Sequence, residues 1–128
     1  MRLLLDTHAF LWAAARPERL GQQEALVADP STTRLLSAAS SWEIAIKHAL
    51  GKLVLPEAAA AYVPEVMRRL LVEGLPVEHA HALAVADLPE HHRDPFDRLL
   101  VAQAQQLGVP ILSADPAFAA YDVEVLVP

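Results

Sequence analysis

The run Leu3-Leu4-Leu5 stops on Asp6. Three consecutive leucines suit a short strand buried on both faces, as in a parallel sheet covered by helices. A carboxylate directly after such a strand is a costly neighbour, because burying an unpaired charge costs more than any packing it provides. The position of Asp6 therefore points to chemistry, and the run before it fixes where that chemistry sits relative to a core.

The rest of the chain alternates in the same manner. Thr7 to about Ala15 reads as a helix and Gly21–Ala28 as a second helix. After the turn-rich Asp29-Pro30-Ser31-Thr32-Thr33, Arg34–Ala39 reads as a strand. Ser41–Leu50 carries Trp42, Ala45, Ile46, Ala49 and Leu50 at helical period, with Ser40 or Ser41 as its cap and Gly51 as its end. Trp12 and Trp42 read as core residues rather than as base-stacking platforms. Two further helices are predicted over Pro56–Glu73 and Val77–Asp87. The helix Pro95–Leu107 has Asp94 at its N-cap, Pro95 at its first position and Gly108 just past its end. A strand over Val109–Leu112, a helical turn over Pro116–Tyr121 and a strand over Val123–Val127 complete the chain. Strands alternating with helices predict an α/β fold with a mostly parallel sheet covered on both faces. The 128 residues argue for a single domain spanning 1–128.

Composition narrows the function. A protein that grips a nucleic-acid backbone usually shows a basic face, whereas this chain is acidic overall, with a net charge of −6. Any such role must come from a local site, where a divalent cation among acidic groups supplies the missing positive charge. The absence of cysteine excludes disulfides and cysteine-ligated zinc, and is compatible with a reducing cytoplasm. No apolar stretch reaches the roughly 18–20 residues that span a bilayer. Asp6 and His8 interrupt the start of the chain before it can resemble a signal peptide, so no membrane association is expected.

Asp6 ends one predicted strand, and Asp115 follows another. Glu43 comes early in the helix after a third, while Asp94 and Asp97 open the helix Pro95–Leu107. In open α/β sheets, ligands bind beyond the carboxyl ends of the strands, so these carboxylates can converge there. Such a group repels itself without a cation, and hard ions such as Mg²⁺ take oxygen ligands of this kind. The matching reaction is phosphodiester hydrolysis, in which the ion activates water and stabilises the leaving oxygen. Each acid also has a purely structural reading: Asp94 and Asp97 as a capping pair, Asp115 as an N-cap before Pro116, Glu43 as the i,i+4 partner of Lys47. His79, His81, His91 and His92 match no zinc spacing and read as loop or helix-surface residues.

Four blocks resemble PIN-domain proteins of the VapC toxin type. They are Leu3-Leu4-Leu5-Asp6-Thr7-His8-Ala9-Phe10-Leu11-Trp12, then Ser37-Ala38-Ala39-Ser40-Ser41-Trp42-Glu43-Ile44-Ala45-Ile46-Lys47 with Leu50-Gly51-Lys52-Leu53. The third is His92-Arg93-Asp94-Pro95-Phe96-Asp97-Arg98-Leu99-Leu100-Val101-Ala102-Gln103-Ala104, and the fourth is Leu112-Ser113-Ala114-Asp115-Pro116-Ala117-Phe118. The resemblance implies a three-layer α/β/α sandwich and a Mg²⁺- or Mn²⁺-dependent ribonuclease. It implies an antitoxin partner, an RNA substrate and a homodimer. Carried over block by block, the catalytic acids are Asp6, Glu43, Asp97 and Asp115, and the metal-binding acids are the same four with Asp94, either Asp94 or Asp97 being the direct ligand on that helix. Thr7 is a helper near the ion, and Lys47, Arg93 and Arg98 are candidates to meet RNA phosphates. Where the family often has threonine in its fourth block this chain has Ser113, which keeps the hydroxyl. A structure-specific DNA nuclease and a catalytically silent binding module stay open as alternatives.

Overall fold

A computed structural model describes residues 1–128. Five strands form one sheet: β1 (Arg2–Leu5), β2 (Thr33–Ser37), β3 (Val72–Leu75), β4 (Ile111–Leu112) and β5 (Val125–Leu126). Their order is β3-β2-β1-β4-β5, and every neighbouring pair is parallel. Six α-helices cover the faces: α1 (Thr7–Ala15), α2 (Glu24–Ala28), α3 (Ala38–Ala49), α4 (Ala59–Arg69), α5 (His79–Ala84) and α6 (Pro95–Leu107). The arrangement is the predicted α/β/α sandwich, with a sheet that is wholly parallel.

β1 lies at the centre, and Leu3, Leu4 and Leu5 are all 0% exposed. Leu3 and Leu5 point into a core with Phe10, Leu36, Ile44 and Val66. Leu4 points to the other face, into a core with Leu35, Leu100, Val101, Ile111 and Phe118. Each buried leucine contributes roughly 1.5–3 kcal/mol, so the strand that ends at Asp6 is among the best-anchored parts of the molecule.

Several sequence expectations are corrected. Strand β3 lies where the helix Pro56–Glu73 was expected to finish. Helix α4 ends at Arg69, Leu71 adopts φ 54°, and the chain turns to pair Val72 with Arg34 of β2. Pairing with an existing edge, rather than local propensity, makes this segment a strand. Strand β2 is shorter than Arg34–Ala39, because Ser37 already caps α3, accepting from the Ala39 amide at 3.1 Å. Neither Ser40 nor Ser41 is the cap, and Glu43 falls in the second turn, where it is buried. The segment expected as a helix over Gly21–Ala28 begins as a 3₁₀ stretch (Pro17–Gln23) broken at Gly21, with α2 following. Gly21 has φ 53°, and a Cβ there would meet the Pro128 carbonyl carbon at 3.0 Å, so glycine fits on both counts. The helix Pro95–Leu107 is found as predicted, with Gly108 left-handed at its end.

Candidate active site

The strand order reverses at β1 and β4: the chain builds outward from β1 through β2 and β3, then crosses back to β4 and β5. Such a reversal opens a crevice at the carboxyl ends of the two strands. Asp6 leaves β1 there, and Ser113 and Asp115 leave β4. The strand ends are tied by the Asp6 amide, which donates to the Leu112 carbonyl at 3.1 Å.

Three of the acids also start helical segments. Asp6 Oδ1 accepts from the Ala9 amide at 2.7 Å, Asp94 Oδ1 from the Phe96 amide at 2.9 Å, and Asp115 Oδ1 from the Ala117 amide at 2.9 Å. The amino-terminal ends of helices place bound N–H groups and a positive dipole end at these carboxylates. Glu43 is 3% exposed, and both its oxygens are held: Thr7 Oγ1 donates to Oε1 at 2.6 Å and Lys47 Nζ donates to Oε2 at 2.5 Å. The i,i+4 pairing with Lys47 and the placement among the acids are thus both present.

The acids act on one another. Burial pushes the Asp97 carboxyl up to about 7; the charge of Asp94 adds to this, His92 opposes it, and Glu43 and Asp6 raise it further. Burial likewise raises Asp6, against hydrogen bonds from Ser113 and the Ala9 amide. Asp115 is instead lowered, first by its bond from the Ala117 amide and then by His92. The structure therefore gathers Asp6, Glu43, Asp94 and Asp97 into one electrostatic group, with Asp115 joined to it through His92. Asp97, Asp115 and His92 bring their ligand-type atoms within 4.8 Å of one another, and the neighbouring carboxylates of Asp6, Glu43 and Asp94 add negative charge of the kind a hard divalent cation offsets.

His92, read from sequence as a loop residue, belongs to the site. Its Nε2 donates to Asp115 Oδ2 at 3.1 Å and lies 3.0 Å from Asp97 Oδ2. His8, which follows Thr7 at the start of α1, bears electrostatically on both Asp6 and Asp115. Ser113 is fully buried; its hydroxyl accepts from the Asp115 amide at 3.0 Å, and it acts to lower the Asp6 carboxyl against the effect of burial. The available signal for His92 was its place two residues before Asp94, but only the folded loop turns the ring towards the acids.

The basic candidates separate. Lys47 reaches the acids through Glu43, and its own ionisation is raised first by that hydrogen bond. Arg93 is exposed beside Asp94. Arg98 does not face the crevice: its guanidinium donates to the carbonyls of Val85, Leu88 and Pro89 and to the Tyr121 hydroxyl. These donors close the loop from Val85 to Pro89. Trp42 is corrected, being 61% exposed rather than core. Its ring meets Phe96 edge-on at 5.2 Å, so an aromatic pair borders the acids, each member preceding one of them in sequence. A cleft of about 480 Å³ among Ala13, Leu20, Val27, Arg34 and Arg69 opens at the opposite, amino-terminal end of the strands and holds none of the acids.

This sheet order, with carboxylates gathered beyond β1 and β4, defines a PIN-type α/β/α domain. A family profile described as "PIN domain" matches residues 3–124, and the chain belongs to that family. Among curated proteins it is similar to Ribonuclease VapC16 of Mycobacterium tuberculosis (strain ATCC 25618 / H37Rv), with 50% identity over 64 residues. That stretch covers 50% of this chain and 45% of the relative, so the match spans less than half of the relative's length. Among solved structures it is similar to VapBC2 from Rickettsia felis bound to a promoter DNA fragment, at 14% identity and TM-score 0.74, covering 99% of this chain and 98% of that one. It is also similar to DNA-bound VapBC from Salmonella typhimurium, at 16% identity and TM-score 0.71, covering 99% and 98%. FitAcB from Neisseria gonorrhoeae matches at 20% identity and TM-score 0.67, covering 97% and 96%. These likenesses establish the fold.

Proposed function

We propose that this chain is a divalent-metal-dependent endoribonuclease and the toxin of a toxin–antitoxin pair. The observation that carries the proposal is the acid group beyond β1 and β4, with Asp97 pushed up to about 7 by burial and neighbouring charge. Such a group is held ready for a cation. Similarity to a VapC ribonuclease and to the VapBC structures supports the ribonuclease and toxin parts of the reading.

In this reading Asp6, Glu43 and Asp97 hold Mg²⁺ or Mn²⁺, and Asp115 completes the set. Asp94 caps α6 and adds negative charge beside Asp97 rather than binding directly. The ion, when bound, supplies Lewis-acid polarisation of the phosphoryl group and an acidified water. Thr7 and Lys47 fix the two oxygens of Glu43, so that residue enters the reaction already oriented. The amide bonds at Asp6 and Asp115 fix those carboxylates to rigid helix starts. Arg93, exposed at the rim, and Lys47, partly exposed, are the cations placed to meet RNA phosphates. The antitoxin partner, a cytoplasmic setting and a homodimer belong to the same proposal. The exposed apolar residues Trp42 (61%), Leu50 (63%) and Val54 (91%) on and after α3 support the homodimer. No helix is long and apolar enough to cross a membrane.

The test is cleavage of total RNA by the purified chain with Mg²⁺ or Mn²⁺, with EDTA, and beside Asp6→Asn. Discrete fragments that require both metal and Asp6 support the proposal. Cleavage that persists in EDTA or in the variant overturns it. A parallel arm with structured DNA separates the ribonuclease from a DNA nuclease.

A further inference from the structure

Asp97 comes from the first turn of α6 and Asp115 from the turn after β4, and His92 sits between them. Its Nε2 donates to Asp115 Oδ2 at 3.1 Å and lies 3.0 Å from Asp97 Oδ2. The tautomer is set by the other nitrogen: Nδ1 lies 3.1 Å from the Asp94 amide, which can only donate. Nδ1 is therefore the acceptor, and the proton is on Nε2. The loop is pinned around the ring, since the His92 amide donates to the Tyr121 hydroxyl at 2.8 Å and the imidazole meets Phe118 edge-on at 6.2 Å.

In this tautomer the ring turns an N–H, not a lone pair, towards the carboxylates. Coordinating an ion through Nε2 would move the proton to Nδ1, where it would confront the Asp94 amide hydrogen. We propose that His92 is a positioning residue, whose Nε2–H spans Asp97 and Asp115 and holds them at the spacing a divalent cation needs, without itself becoming a ligand. The inference rests on the metal-dependent reading above. A carboxylate has about four lone-pair sites, so one hydrogen bond leaves each acid able to bind an ion. Donors of this kind to ligating groups typically govern roughly 10–100-fold in metal affinity.

Two conservative variants divide the ring's functions. His92→Asn keeps an acceptor near the Nδ1 position for the Asp94 amide and loses the reach of Nε2. His92→Gln places an N–H near the Nε2 position. The experiment is calorimetric titration of the purified full chain with Mn²⁺, with pulsed electron paramagnetic resonance of the bound ion and thermal melts of each variant. The expected result is that His92→Asn folds and binds Mn²⁺ about tenfold or more weakly, that His92→Gln recovers part of the loss, and that the wild-type ion shows no nitrogen coupling. Unchanged or tighter binding in His92→Asn overturns the proposal, as does nitrogen coupling that vanishes in His92→Gln. Wild type that binds no Mn²⁺ overturns the metal reading itself, which is a different result from a wild type that binds and a variant that binds equally well.

Discussion

Thr7 Oγ1 donates to Glu43 Oε1 at 2.6 Å, joining the first residue of α1 to the second turn of α3 across 36 positions of sequence. Both residues are buried, Thr7 at 5% and Glu43 at 3% exposure. The bond closes the gap between the segment leaving β1 and the helix leaving β2. Thr7→Ala leaves a buried carboxylate oxygen short of a donor, which costs about 1–3 kcal/mol. Thr7→Ser keeps the donor and is expected to lose much less. Urea unfolding of the three proteins checks the ranking, and Mn²⁺ titration should follow the same order.

Asp6 has two functions, as the cap of α1 and as an acid of the group. Asp6→Asn keeps an oxygen for the Ala9 amide and removes the charge; Asp6→Ala removes both. The expected outcome is that both variants lose cleavage, while Asp6→Ala is the less stable by about 1 kcal/mol. Equal stability in thermal melts would mean that the 2.7 Å bond contributes nothing to folding.

The raised Asp97 carboxyl gives a pH dependence of defined sign. The unfolded chain loses this proton near 3.8, whereas the metal-free fold holds it until about 7. Between those values the folded state binds more protons, so this group's contribution to stability is full at the acid end and is lost as the pH rises. Asp97→Asn should flatten that slope in thermal melts of the metal-free protein. Stabilisation by Mn²⁺ should run the other way and grow with pH over the same window, since the ion and the proton compete for one carboxyl.

Arg98 predicts a loss without a catalytic signature. Its donors serve the carbonyls of Val85, Leu88 and Pro89, so Arg98→Ala should destabilise by about 1–3 kcal/mol through groups left unpaired. Binding of RNA to an Asp6→Asn background should be unchanged by adding Arg98→Ala. A marked drop in RNA affinity with unchanged stability would return Arg98 to the substrate side.

What the sequence made legible is what short-range signals agree on. The leucine run, the Asp94-Pro95 start and the Gly108 stop each carry their meaning in neighbouring residues, and β1 and α6 lie where those signals put them. That Asp6 and Asp115 follow β1 and β4 at one edge was legible because the ends of parallel strands share that edge. Strand β3 was not legible, since its strand character comes from β2, some forty positions earlier in register (Arg34 with Val72). The Ser37 cap was hidden among four nearby serines, Ser37, Ser40 and Ser41 with Ser31 before them, each able to cap a helix. Trp42 was misplaced because helical period marks an apolar face but not what covers it. The part His92 plays could not be read beyond its place before Asp94, as it depends on which way a loop turns an imidazole.

In Asp6 and Asp115, Oδ1 is committed to an amide at a helix start and Oδ2 is not. Folding and chemistry thus draw on different atoms of the same side chains. A lineage released from the chemistry of this site could exchange these aspartates for asparagines, each by a single-nucleotide change in its codon, and keep its helix starts intact. Descendants of such a chain would look sound by every measure of fold while being inert. The residue type at two positions, and not the shape of the domain, would separate a working site from its silent relatives.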